Sequence, residues 1–181
     1  MTAPLWIFGY GSLLWNPGFP VSETRIARLS GWHRSFCMTS IHHRGTKDDP
    51  GLVLALDAAK VAYCDGLALL AEPGSEDETL GYLRERELIS SAYLETRQEI
   101  SFRDGTQQND VLTFVINRDH WQYCGDHSLE QQAHIIAGAA GGRGPNDEYL
   151  YNTASHLAEL GIGDDDLETL VTHVRALNAV S

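Results

Sequence analysis

Cysteine is scarce in this chain. Only Cys37, Cys64 and Cys124 occur, an odd number with no CxxC spacing. That excludes a disulfide framework and points to a reducing compartment, so the expected location is cytoplasmic. Cys37 and Cys64 lie in the apolar stretches SFCM and AYCDG, where a buried, inert thiol is the expectation and a catalytic thiol the alternative. Positive charge is also short: 13 Lys and Arg against 25 Asp and Glu leave a formal net charge of −12. Such a surface repels phosphate backbones and anionic headgroups, which removes nucleic acid and membrane from the expected partners. No apolar run approaches the length of a bilayer, and no basic start precedes one, so neither a spanning segment nor an export signal is expected. Repeats, low-complexity tracts and linkers are missing too. The 181 residues suffice for one domain with a real core and are too few for two comfortable ones, so a single domain over residues 1–181 is expected.

The segments that are present alternate in period. PLWIF is a short run of strand formers. Arg25 to Leu29 and Trp32 to Thr39 read as two further strands. IHHRGTKDDPG is a loop, with Pro50-Gly51 as a turn signal. LVLALD and YCDGLALLAE read as two strands joined around DAAKVA, with a bulge at Asp65-Gly66. Ser75 with Glu78 fits a capping box for a helix running to about Ser91. Residues 93–103 and 110–117 resemble a hairpin turning near Asp104-Gly105. Ser128 with Gln131 caps a helix through Ala140, stopped by Gly141-Gly142. Two more helices follow, roughly 147–160 and 165–179. Strands first, one enclosed helix, a hairpin and then helices describe an α+β domain, its sheet antiparallel or mixed, with helices packed on one side.

Two glycine-rich stretches need weighing. In FGYGSLLW, Gly9 and Gly11 bracket Tyr10 between apolar runs. A sharp turn explains them, and so does close approach of a small ligand to bare main chain; the stretch alone favours the turn. GAAGGRGPN lacks the Lys-Ser/Thr of a phosphate loop and follows a helix, so it reads as a helix end and a loop.

A carboxylate stands out in GYLRERELI. At about 100° per residue, positions 80, 83 and 87 share one stripe, and they are Leu80, Leu83 and Glu87. Glu85 falls on the opposite, solvated face. A glutamate held against the core has its charged form disfavoured and becomes a usable general base. A boundary glutamate paired with Arg84 or Arg86 is an equal alternative. Metal binding is not expected. His42 and His43 are adjacent and would face opposite sides of a strand, while His120, Cys124 and His127 lack a further ligand. GYGSL is not the nucleophile-elbow pattern, so Ser12 is not expected to head a Ser-His-Asp triad.

Taken in order, FGYGSLLWNPGF, HHRGT with PG, GYLRERE, and LEQQAHII with NDEYLYNT resemble the ChaC-type, glutathione-specific γ-glutamylcyclotransferases. The resemblance runs from about residue 5 to about 160. It implies a small mixed or antiparallel β-barrel with flanking helices. It implies a substrate loop at Gly9, Tyr10, Gly11, Ser12, Leu13 and Leu14, and a catalytic Glu87, the last residue of a YLxxRE pattern. It also implies a lyase needing no cofactor, with glutathione as its small-molecule substrate. The substrate's own α-amine would attack its γ-carbonyl, releasing 5-oxoproline and Cys-Gly, with Glu87 as general acid and base. A cyclotransferase for other γ-glutamyl amines or dipeptides, or a silent γ-glutamyl-binding module, are the alternatives. The chain departs from the pattern at His42, where relatives often carry Asp, and at Arg84 and Glu85 beside the catalytic position. Arg44 and Tyr149 lie in family-like stretches and are candidates for the Cys-Gly half, with structural roles equally open.

Overall fold

The computed structural model describes residues 3–88 and 91–180. The chain first lays down β1 (Trp6–Gly9), a single 3-10 turn (Ser12–Leu14), and two long strands, β2 (Val21–Ser40) and β3 (Gly51–Ala71). Helix α1 (Glu76–Glu87) leads to the hairpin β4 (Tyr93–Phe102) and β5 (Gln107–Ile116). Helix α2 (Leu129–Gly138), the two-residue strands β6 (Ala140–Gly141) and β7 (Gly144–Pro145), α3 (Asn146–Glu159) and α4 (Asp165–Val180) complete it.

Five strands close into a barrel in the order β1-β3-β2-β4-β5. Neighbours are antiparallel at β1–β3 (Trp6 opposite Leu70, Gly9 opposite Leu67), β2–β4 (Ala27 opposite Phe102) and β4–β5 (Tyr93 opposite Ile116). The seam joins β1 to β5 in parallel, with Ile7 opposite Leu112. The expected mixed barrel with helices is therefore the observed fold, and closure removes the free edges that invite further pairing.

By contact the chain divides into two compact units, Met1–Arg34 with Leu56–His120, and Ser35–Ala55 with Trp121–Ser181. In the first, Ile7 and Phe8 of β1 are wholly buried, as are Val111 and Leu112 of β5 and Leu83 of α1. In the second, α2, α3 and α4 pack on one another around Ile136, Leu150 and Val174. Its fixed point is Asn146, 0% exposed, whose amide accepts from Leu52 N–H and donates to Leu52 C=O, both at 2.8 Å.

Several elements differ from the sequence reading. The two strands expected between residues 25 and 39 are one strand, β2; Gly31, at φ +87°, lies between the two expected pieces. The two expected between residues 52 and 72 are likewise one, because the backbone ladder continues through Asp57–Tyr63, where exposed side chains carry no burial signal. Ser75 begins α1 without the expected capping box: its hydroxyl donates to Glu72 C=O at 2.7 Å. Helix α1 ends at Glu87, capped by Leu88, rather than near Ser91; residues 89–90 of that expectation lie outside the described residues. The Ser128–Gln131 capping box forms as expected, but α2 stops at Gly138, and Gly141 belongs to a miniature hairpin instead of a loop.

Candidate active site

The turn after β1 is fixed from both ends by side chains of the first unit. Tyr10 points inward, and its hydroxyl donates to Phe114 C=O at 2.9 Å. Its carbonyl accepts from Arg34 Nε at 2.8 Å, and the same guanidinium donates to Asp65 C=O. Arg34 is itself only 4% exposed. Leu13 and Leu14 are buried, and the turn closes through Leu14 N–H to Gly11 C=O at 2.9 Å and Asn16 N–H to Ser12 C=O at 2.8 Å.

The tightest approach to this turn comes from the chain itself. A Cβ on Gly66 of β3 would lie 2.3 Å from Gly9 C=O, inside any allowed contact. A Cβ on Gly9 would come within 3.2 Å of Leu13 Cβ. The Asp65-Gly66 break is thus where β3 passes against the turn's entrance. Gly18, at φ +77°, closes the other end of the segment: a Cβ there would lie 2.0 Å from Tyr82 Oη of α1.

Arg86 of α1 completes the junction. Its Nη1 donates to Asn16 C=O at 2.7 Å, Pro17 C=O at 3.1 Å and Tyr82 Oη at 3.1 Å, while Nη2 donates to Ser12 Oγ at 2.8 Å. Its Nε stands 3.4 Å from Glu87 Oε1, the two side chains being 8% and 16% exposed. So one guanidinium touches both the Gly9–Leu14 turn and Glu87. The stripe on α1 differs from expectation in detail: Glu76, Thr79 and Leu83 are buried, and Leu80 is half-buried. Glu85 is exposed, as expected. Arg84 does not pair with Glu87; it forms a bidentate pair with Glu95 at 2.8 and 3.0 Å, and this hydrogen bonding holds the Glu95 carboxyl below its usual range. Arg34, Gly66 and Arg86 were not singled out as site residues from the sequence. The sequence did offer Arg86 as a partner of Glu87, which the structure bears out, and Tyr82 and Arg86 lie four apart and hence on one helix face.

In the second unit, Arg44 and Tyr149 both have structural partners. Arg44 is buried and donates through Nη1 to Pro145 C=O at 3.1 Å, its guanidinium 5.5 Å from the Tyr149 ring centre. Burial pushes the Arg44 guanidinium below its usual pKa, and nearby Glu148 works against that shift. Tyr149 Oη accepts from Leu54 N–H at 3.3 Å. His42 and His43 lie beyond the end of β2, not within a strand; their carbonyls accept from Gly142 and Arg143 N–H at 2.7 and 2.9 Å. Among the described residues, no three His, Cys, Asp or Glu side chains are grouped to hold a metal.

The barrel defines a class. It superposes on the crystal structure of a glutathione-specific γ-glutamyl cyclotransferase from yeast with a TM-score of 0.85, at 21% identity over 97% of this chain and all of that one. This is the γ-glutamylcyclotransferase fold. The sequence narrows it: residues 5–177 match the model of the ChaC-like protein family. The chain belongs to that family. Similar relatives include the glutathione-specific γ-glutamylcyclotransferase of Escherichia coli K12, 36% identical over 97% of this chain and 75% of the relative. Another is γ-glutamylcyclotransferase 2-3 of Arabidopsis thaliana, 34% identical over 94% of this chain and 88% of the relative.

Proposed function

We propose that the protein is a lyase that cleaves the γ-glutamyl bond of glutathione, releasing 5-oxoproline and Cys-Gly. The observation that carries this reading is the largely buried Glu87 carboxylate, joined through Arg86 to the Gly9–Leu14 turn at the Ser12 hydroxyl. Family membership, and relatives named for this activity, support the choice of substrate.

The reaction is internal to the substrate. The α-amine forms a bond to the γ-carbonyl carbon, and the bond from that carbon to the cysteinyl nitrogen breaks. Glu87 takes the proton that the α-ammonium must lose and returns a proton to the departing nitrogen. Nucleophile and electrophile belong to one molecule, so no water is consumed, no electron changes hands and no cofactor is needed. What the protein must supply is the folded, near-attack shape of the γ-glutamyl group. Gly9, Tyr10, Gly11, Ser12, Leu13 and Leu14 form the surface for it. The N–H groups of Ser12 and Leu13, first in the 3-10 turn, are the donors assigned to substrate oxygens in this reading.

The test is to incubate the protein with glutathione, and separately with γ-Glu-Ala, and to measure 5-oxoproline from each. Release from glutathione far exceeding that from γ-Glu-Ala is expected. Glu87→Gln should fold as the wild type and lose about 10²–10⁴ in rate, the usual share of a general base. Equal turnover of both substrates moves the reading to a general γ-glutamyl cyclotransferase. Undiminished turnover by Glu87→Gln removes Glu87 from the chemistry.

A further inference from the structure

We propose that Arg86 is a positioning residue: its guanidinium locks the substrate turn onto helix α1 and so sets the distance between the turn's main chain and Glu87. The proposal rests on the reaction assigned above. Its ground is the distribution of Arg86's contacts. One side chain, nearly closed to solvent, reaches the Ser12 hydroxyl, the Asn16 and Pro17 carbonyls, and Tyr82 on its own helix. These acceptors run from Ser12, where the 3-10 turn begins, to the segment's exit at Pro17, and none is an acidic group. A guanidinium committed to three backbone-proximal oxygens of another element fixes that element, since its planar fork can satisfy them together only in one relative placement. The adjacent Nε, 3.4 Å from Glu87 Oε1, adds the base to the same rigid group.

Two further features make the clamp specific. A Cβ on Gly18 would lie 2.0 Å from Tyr82 Oη, so the segment's exit is seated against the helix residue that also bonds Arg86. Arg84, two residues earlier and also cationic, turns away to Glu95 and cannot take over. A lysine at position 86 keeps the charge but offers a point donor in place of the fork, so it can serve one acceptor well and not the set.

The experiment compares wild type, Arg86→Gln, Arg86→Lys, Ser12→Ala and the Ser12→Ala/Arg86→Gln pair, using glutathione turnover and amide hydrogen exchange over residues 10–18. Arg86→Gln should lower kcat about 100-fold, the scale on which a 1 Å misplacement acts, and raise KM about tenfold on the same basis. A loss of folded protein would lower apparent kcat and leave KM unchanged. Arg86→Lys should fall between wild type and Arg86→Gln in both constants. Ser12→Ala should cost much less once Arg86 is gone than it does alone, because the two share one contact. Amide exchange in the turn should quicken in Arg86→Gln. If both kinetic constants of Arg86→Gln stay within about threefold of wild type and the turn's exchange is unaltered, the proposal is overturned. Fully additive effects of Ser12→Ala and Arg86→Gln overturn it too. Should wild type release no 5-oxoproline, the functional reading falls by itself; exchange then decides the clamp, and an unchanged turn in Arg86→Gln defeats it.

Discussion

Adding one methyl group at Gly66 should disable the turn from outside it. A Cβ there meets Gly9 C=O at 2.3 Å, with Phe8 Cζ at 3.0 Å and Cε1 at 3.3 Å. Bringing the carbonyl contact to an ordinary separation requires a displacement of about 1 Å. The carbonyl is backbone and cannot rotate away, and Phe8 is wholly buried, so β1 and β3 must part locally. Overpacking of this kind costs about 1–3 kcal/mol, which for a chain of this size lowers Tm by about 3–10 °C. Gly9 leads directly into Tyr10, so the displacement reaches the proposed substrate surface, where a 1 Å error costs about 100-fold in rate. The control is the same substitution at Gly81, exposed on α1 with nothing within 4 Å of its would-be Cβ. Gly81→Ala should gain about 0.5–1 kcal/mol from helix propensity and leave turnover unchanged. Calorimetry and the 5-oxoproline assay, run on both variants, read the two signs. If Gly66→Ala matches wild type in Tm and turnover, the close passage of β3 against the turn has no hold on the site, and the reasoning fails.

Two further outcomes are expected. Asn146→Ala should leave Leu52 N–H and C=O unpaired in the core and cost about 2–4 kcal/mol, seen as a lower urea midpoint with an unchanged slope. Burial pushes the Cys124 thiol above its usual pKa of 9.0, against a smaller opposing hydrogen bond with Thr39. Its thiolate fraction at pH 8 is therefore below that of an open thiol, and iodoacetamide should modify it more slowly than a cysteine peptide, with a rate still climbing above pH 9. A Cys124 rate equal to the peptide's at pH 8 contradicts this.

What could be read from the chain depended on whether a residue's role is expressed in its own periodicity. Leu83 and Glu87 advertise the inner face of α1 because a helix repeats, and the Ser128–Gln131 box announces α2 because capping is local. The α+β order of elements was likewise visible, while barrel closure came only with the family resemblance, since the Ile7–Leu112 seam joins residues far apart in sequence. The middle of β3 escaped notice because residues 58–62 are strand by backbone yet mostly face solvent, Val61 being 99% exposed. Arg34 escaped for a related reason, and Arg86 was foreseen only as a partner of Glu87, not as a partner of the turn. Their acceptors are main-chain carbonyls and one hydroxyl in distant segments, and a carbonyl leaves no mark in a sequence.

The distribution of partners around the turn has a chemical consequence. The carbonyls of Tyr10, Asn16 and Pro17 are taken up by arginines, and those of Gly11 and Ser12 by the turn's own N–H groups. The Tyr10 hydroxyl donates to Phe114 C=O, and that of Ser12 accepts from Arg86. With these carbonyls engaged, the donors the proposal draws on are the early N–H groups of the 3-10 turn. A surface of donors selects for oxygen atoms that carry or gain negative charge. In the proposed reaction a γ-glutamyl group brings two such sites, its α-carboxylate and the γ-carbonyl oxygen as the ring closes. The α-amine needs an acceptor instead, the role proposed for Glu87, whose Oε1 stands 3.4 Å from the guanidinium that also holds Ser12. Under the proposed function the substrate's polar groups would be separated by hydrogen-bonding sense, oxygens to the turn and nitrogen to the helix. This is why two elements distant in sequence have to be fixed against each other.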